Sequence, residues 1–202
     1  MSRVVADITM SLDGFVTAPN DGPAGGLGDN GEVLHYWVFG GQWTHETADK
    51  GQPGDGAVGV DKQVIDEFMH GAAMVVGRRM YDVTAGWGGR SPFGVSCIVV
   101  THRVADQPDP ASMFEFVDGV EAAVDRARRI AGDGTVNVGG GASIIQQALR
   151  SGLVDELQVH VAPVILGAGR TLFGELGIRL HLEPIRVLDS PFATHIKYRV
   201  VK

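Results

Sequence analysis

The residues best placed to do chemistry in this chain are glycines and arginines. The run Val136-Asn137-Val138-Gly139-Gly140-Gly141-Ala142-Ser143-Ile144-Ile145 predicts a strand, a glycine turn and a helix start. That order suits a pyrophosphate. Glycines let backbone approach an anion, and the first N–H groups of a helix point at it along the helix dipole. It is not the GxGxxG dinucleotide fingerprint, because the third glycine is missing and no acidic residue follows about 20 positions on. A tight strand-to-helix turn would use the same residues. Gly77-Arg78-Arg79-Met80 follows another apolar run in the same way. Arginine is the preferred phosphate partner, since its planar fork donates two parallel hydrogen bonds. Thr101-His102-Arg103 repeats the pattern with a hydroxyl, an imidazole and a guanidinium. Any one of these clusters fits solvated surface charge equally well. Together they place three polar groups at the C-terminal ends of strands, where open α/β sheets bind ligands.

Other chemistries find little support. The single cysteine, Cys97, sits among β-branched residues without a base, which favours a structural thiol over a nucleophile. One thiol makes no internal disulfide, so a cytoplasmic location is the simpler expectation. The seven histidines (35, 45, 70, 102, 160, 181 and 195) show no paired ligand spacing, and no zinc site is expected. A net charge of −7 argues against a nucleic-acid partner, because phosphate backbones need a basic surface. No apolar stretch approaches the ~18 residues of a membrane span, and residues 1–7 have no signal-peptide core.

The elements that must position these clusters can be read from periodicity. Strands are expected at 3–10, 72–76, 95–101, 135–138, 156–161, 164–166, 180–188 and 194–201. Helical spacing covers 60–70, with Val60, Val64, Ile65, Phe68 and Met69 on one face. It recurs over 120–131 and 142–151, and a helical turn is expected at 81–84. Residues 18–59 are rich in Gly, Pro and Asp and predict a long loop, packed somewhere through Trp37, Phe39 and Trp43. Alternating strands and helices followed by strands alone predict an α/β fold with a mixed, mainly parallel central sheet, antiparallel at its C-terminal edge. At 202 residues, 44% apolar and 20% charged, the chain fits one domain.

Several segments resemble the dihydrofolate-reductase-like superfamily. They are Met10-Ser11-Leu12-Asp13-Gly14-Phe15-Val16, Val75-Val76-Gly77-Arg78-Arg79-Met80-Tyr81, Val99-Val100-Thr101-His102-Arg103 and Asn137-Val138-Gly139-Gly140-Gly141-Ala142. Gly152-Leu153-Val154-Asp155-Glu156-Leu157 and the run from Ala162 to Phe173 are similar to the branch containing the reductase domain of riboflavin biosynthesis. The motifs occur in the family's order and span residues 3–201. Each is weak alone; jointly they are specific.

The resemblance implies a three-layer dihydrofolate-reductase-like fold, NADPH as hydride donor, a small-molecule substrate and a homodimer. Gly77, Arg78 and Arg79, with Thr101, His102 and Arg103, would hold the adenosine 2′-phosphate. Gly139, Gly140, Gly141, Ala142 and Ser143 would cradle the pyrophosphate, across a cis Gly–Gly peptide. Phe15, Val16 and Thr17 would lie along the nicotinamide. Met80 departs from the family's usual threonine, which puts one hydroxyl contact in doubt. For the substrate, the helix before the glycine-arginine strand offers Asp61, Asp66 and Glu67, and spacing back from Gly77 favours Asp61. The riboflavin branch points instead to Asp13 and Glu156. Solvated helix charge, a turn cap and a strand start are the plainer alternatives for these carboxylates. The deaminase half of the riboflavin enzymes needs a Pro-Cys-x-x-Cys zinc element that a one-cysteine chain lacks. The implied activity is NADPH-dependent reduction of a small heterocycle that is pterin-, pyrimidine- or imine-like. A non-catalytic nucleotide-binding module keeping the cofactor groove is the alternative.

Overall fold

A computed structural model describes residues 2–43, 54–174 and 176–202; His45 and part of the 18–59 segment lie outside them. The chain runs β1 (Val4–Ser11), β2 (Phe15–Thr17), α1 (Tyr36–Phe39), α2 (Gly59–Met69), β3 (Ala73–Gly77), α3 (Arg78–Val83), β4 (Cys97–Val100), β5 (Phe114–Val117), α4 (Val120–Ala131) and β6 (Val136–Val138). It continues α5 (Ala142–Arg150), β7 (Glu156–Ala162), β8 (Arg170–Thr171), β9 (His181–Asp189) and β10 (Thr194–Val201). Eight strands form one sheet in the order β5-β4-β3-β6-β1-β7-β10-β9. The first six are parallel, and β10 and β9 close the edge antiparallel.

The sheet's two faces differ in chemistry because side chains alternate along a strand. Val4 and Ala6 of β1, Val136 and Val138 of β6, and Leu157 and Val159 of β7 build the main core with α4 and α5. The opposite face lies under α1 and α2, where Trp37, Val64 and Ile65 pack with Ala193. There β1 presents Asp7, Thr9 and Ser11, β7 presents Gln158 and His160, and β10 presents His195 and Lys197, all buried. A polar layer inside a sheet needs internal partners, because unpaired polar groups are costly out of water.

Three expectations are corrected. Residues 164–166 form no strand; Val164 accepts a hydrogen bond from the Leu12 amide, and Asp13 accepts from the Leu166 and Gly167 amides. The backbone is thereby tied into a turn rather than a ladder. The 18–59 segment is not wholly irregular, since a 3₁₀ turn at Gly31–His35 leads into α1, pinned by the buried Trp37. β5 was not expected from periodicity; its alternation is confined to Phe114 and Phe116, buried on either side of Glu115.

Cys97 is fully buried, and burial pushes its thiol up to about 12. The native protein is therefore expected to resist thiol-reactive probes at neutral pH and to react once unfolded. Quantitative labelling of the folded protein would contradict this.

Candidate active site

β3, β4 and β6 are neighbours and parallel, so their C-terminal ends share one rim. There the Gly77 amide donates to the Gly140 carbonyl at 2.7 Å, joining the glycine-arginine turn to the triple-glycine turn. A Cβ at Gly77 would lie 2.8 Å from Ile144 at the start of α5, so only glycine lets the turns meet this closely. The Gly140–Gly141 peptide is cis, and Gly140 has φ of +103°, a conformation that favours glycine. Gly141 is exposed and a Cβ there would touch nothing within 4 Å, which leaves space beside the first turn of α5 at Ala142 and Ser143.

The two arginines part company. Arg78 opens α3, and its guanidinium lies over the Phe116 ring at 4.6 Å. Its Nε donates to Asp82 at 2.8 Å, while Nη1 is buried without a hydrogen-bond partner among the described residues. Arg103 reaches the other oxygen of Asp82 at 3.5 Å, so one carboxylate gathers both guanidiniums. Thr101 is buried, and its hydroxyl accepts from the Arg103 amide. Arg79, one residue on and so turned about 100° around the helix, binds Asp21 instead. Asp21 also accepts from Arg170. Burial pushes Asp21 up, but the Arg170 and Arg79 guanidiniums outweigh it and hold its carboxyl below the usual range. Arg79 therefore does not join Arg78 in one anion site, which corrects the expectation for it. His102 is exposed and pairs with Asp118 at 2.7 Å, also apart from Arg78. Met80 packs with the aromatic cluster of Tyr81, Trp87 and Phe114, so its thioether belongs to the core.

Phe15, Val16 and Thr17 form β2, which pairs with β8. The Thr17 hydroxyl is buried without a partner among the described residues. A Cβ at Gly169 would lie 1.9 Å from the Thr17 carbonyl, so glycine there allows the strap to sit where it does. Asp13 accepts from Ser11 at 2.6 Å and from two amides of the 164–167 turn. These bonds, Ser11 foremost, lower its pKa. Both its oxygens hold the turn.

Glu156 is corrected outright. It begins β7 beside Val5, the second residue of β1, at the sheet's N-terminal rim, and pairs with Arg3 and Lys197. The carboxyl ends of the parallel strands lie at the other rim. Asp66 pairs with Lys62, and Glu67 with Lys197 and Arg186, as surface and layer-sealing contacts. Asp61 differs from both. It lies in the first turn of α2, is 4% exposed, and meets His195 Nε2 at 2.8 Å. Sequence reasoning missed what lies behind it. His195 Nδ1 is 2.7 Å from His160 Nδ1, and His160 Nε2 is 3.0 Å from Asp7. Trp37 covers both imidazoles, with ring centroids 4.3 and 5.0 Å away, and donates from Nε1 to Thr9. The available signal was polar residues at alternate positions of otherwise apolar strands.

His35 adds a pH dependence. Burial, and then the nearby His160, push it down to about 4. Its ordinary value is 6.5, so between about pH 4 and 6.5 the unfolded chain binds a proton that the folded chain refuses. Stability should fall as pH drops through that window. Melting temperatures measured across it should decline, and His35→Gln should flatten the decline; an unchanged slope would contradict this.

The amino-acid sequence matches the family model of the RibD C-terminal domain over residues 2–192. The chain belongs to this family. This RibD C-terminal domain protein has the dihydrofolate-reductase-like fold. A putative riboflavin biosynthesis protein from Shewanella sp. PV-4 superposes with a TM-score of 0.71 at 20% identity, over 100% of both chains. Dihydrofolate reductase from Enterococcus faecalis superposes at 0.60 with 17% identity, over 99% of this chain and 97% of that one. In sequence, Bacillus subtilis YyaP is 24% identical over 198 residues, covering 91% of this RibD C-terminal domain protein and 86% of its own length. An open hollow of about 440 Å³ lies elsewhere, lined by Ile98, Phe114, Arg126 and Ile130.

Proposed function

We propose that this protein is an NADPH-dependent reductase of a small heterocyclic substrate, acting as one reductase domain in the cytoplasm. The observation that carries it is the meeting of the Gly77 and Gly140 turns beside Arg78, whose buried Nη1 has no hydrogen-bond partner among the described residues. An arginine nitrogen withdrawn from water without an acceptor is costly, and an arriving phosphate oxygen would relieve that cost. The residues present fit the cofactor on these grounds. Arg78 and Arg103, gathered by Asp82, would hold the 2′-phosphate. Gly139, Gly140 and Gly141 with the α5 N-terminus would take the pyrophosphate. Phe15 to Thr17, with the orphan Thr17 hydroxyl, would lie along the nicotinamide. When bound, the cofactor supplies a hydride, and the protein's part is orientation.

On the substrate side the acid we assign is Asp61, buried and backed by His195. Trp37 and the α2 face exclude water from that polar layer. A substrate reduced at a C=N or C=O bond also needs a proton at its heteroatom, and Asp61 would orient or supply it. A homodimer would use the free edge strand β9, where Ile185 and Val187 are exposed.

The test is loss of NADPH absorbance with a panel of pterin, pyrimidine and cyclic-imine acceptors. Oxidation dependent on one acceptor class supports the proposal. Tight NADPH binding without oxidation by any of them would favour a nucleotide-binding module instead.

A further inference from the structure

The polar chain under Trp37 has a proton count that its geometry fixes. Asp7, His160, His195 and Asp61 are linked end to end by three contacts of 3.0, 2.7 and 2.8 Å. A hydrogen bond needs one proton between its two heavy atoms. Two carboxylates and two neutral imidazoles hold only two N–H protons and carry two negative charges. If both Nε2 atoms donate to their carboxylates, both Nδ1 atoms are bare, and two lone pairs face each other at 2.7 Å. Moving either proton to the Nδ1 contact empties a carboxylate contact instead. Filling all three contacts takes a third proton and leaves a single negative charge on the set.

The chain also has a direction. His160 stands opposite Thr9 of β1 and opposite His195 of β10. Asp7 is two residues further from the rim, roughly 7 Å deeper along the strand. Asp61 lies at the other end. α2 leads through a short turn into β3 and so runs back along it, which sets its first turn level with Gly77.

We propose that Asp7, His160, His195 and Asp61 act as one buried acid that stores a proton between the two imidazoles and exchanges it through Asp61. Storage is a property of these side chains alone; its use as the proton of reduction rests on the reductase proposed above. The groups that face the chain are few. His35 approaches His160. Lys197, the next inward residue of β10, is neutralised by Glu67 of α2 and Glu156 of β7, and Arg186 of β9 also pairs with Glu67. Burial and His160 hold His195 below its ordinary value, against the pull of Asp61 and Asp7.

The test uses the protein without cofactor or substrate, so it does not depend on the reductase proposal. Protein labelled with ¹⁵N-histidine would be titrated by NMR from about pH 5 to about pH 9, spanning the range where imidazoles change charge. His160 and His195 are expected to lose one proton together, at one shared midpoint, with a shared Nδ1 proton signal protected from solvent. Two neutral imidazoles with bare Nδ1 atoms across the whole range would overturn the proposal. For the route, Asp61→Asn should slow exchange of the shared proton several-fold, and Asp7→Asn should leave it nearly unchanged. The reverse pattern would overturn exchange through Asp61. Both variants keep an oxygen acceptor for the imidazole, and the wild-type titration decides storage whether or not they fold.

Discussion

Arg78→Ala is expected to weaken NADPH binding roughly 10- to 150-fold while changing NADH binding far less. The range follows from the ~1.5–3 kcal/mol carried by a hydrogen bond to a charged group, at tenfold per ~1.4 kcal/mol. The effect should be selective because Arg78 is proposed to meet only the 2′-phosphate, which NADH lacks. Part of the loss would be masked by Arg103, which shares Asp82 with it. Arg78→Ala with Arg103→Ala should therefore lose more than either alone. Arg79→Ala is the control, since Arg79 is bound to Asp21 and should discriminate little between the cofactors. Titration of each variant with both nucleotides makes the comparison. Equal losses for NADPH and NADH would remove Arg78 from the 2′-phosphate site.

The largest stability effect is expected at His195. His195→Ala would leave the Asp61 carboxylate, 4% exposed, without its imidazole. Removing one partner of a buried pair costs about 3–5 kcal/mol, because the other charge stays behind uncompensated. For a chain of this size that lowers the melting temperature by roughly 6–20 °C. Asp61→Asn should cost less, because its side-chain oxygen still accepts from Nε2 and no bare charge remains. If His195→Ala and Asp61→Asn were equally mild, the contact would be ordinary packing rather than the hydrogen bond that compensates a buried carboxylate.

The parts of this fold governed by short-range periodicity were legible in the sequence. α4 occupies the residues where helical spacing put it, and β3, β6 and β10 shift by one residue at most. The three-strand rim was legible because glycine, arginine or both follow an apolar run in each case. What escaped was whatever depends on contacts between distant positions. Arg78 and Arg79 look equivalent in the chain, and only the approach of Asp21, 58 positions away, separates them. Glu156 shares its acidity with Asp61, but only strand direction shows that it begins β7 at the far rim. The histidines were dismissed for want of metal-ligand spacing, whereas His160 and His195 meet across a β-ladder, 35 positions apart. No local pattern encodes that pairing; alternate polar residues in buried strands were its trace.

Calorimetric titration of the wild-type protein with NADPH and with NADH tests the central claim most directly. NADPH should bind with one site per chain and clearly more tightly than NADH. At 100 times its dissociation constant it should add about 2.7 kcal/mol to stability. Absence of heat and of stabilisation with NADPH, or indifference to the 2′-phosphate, would contradict the account.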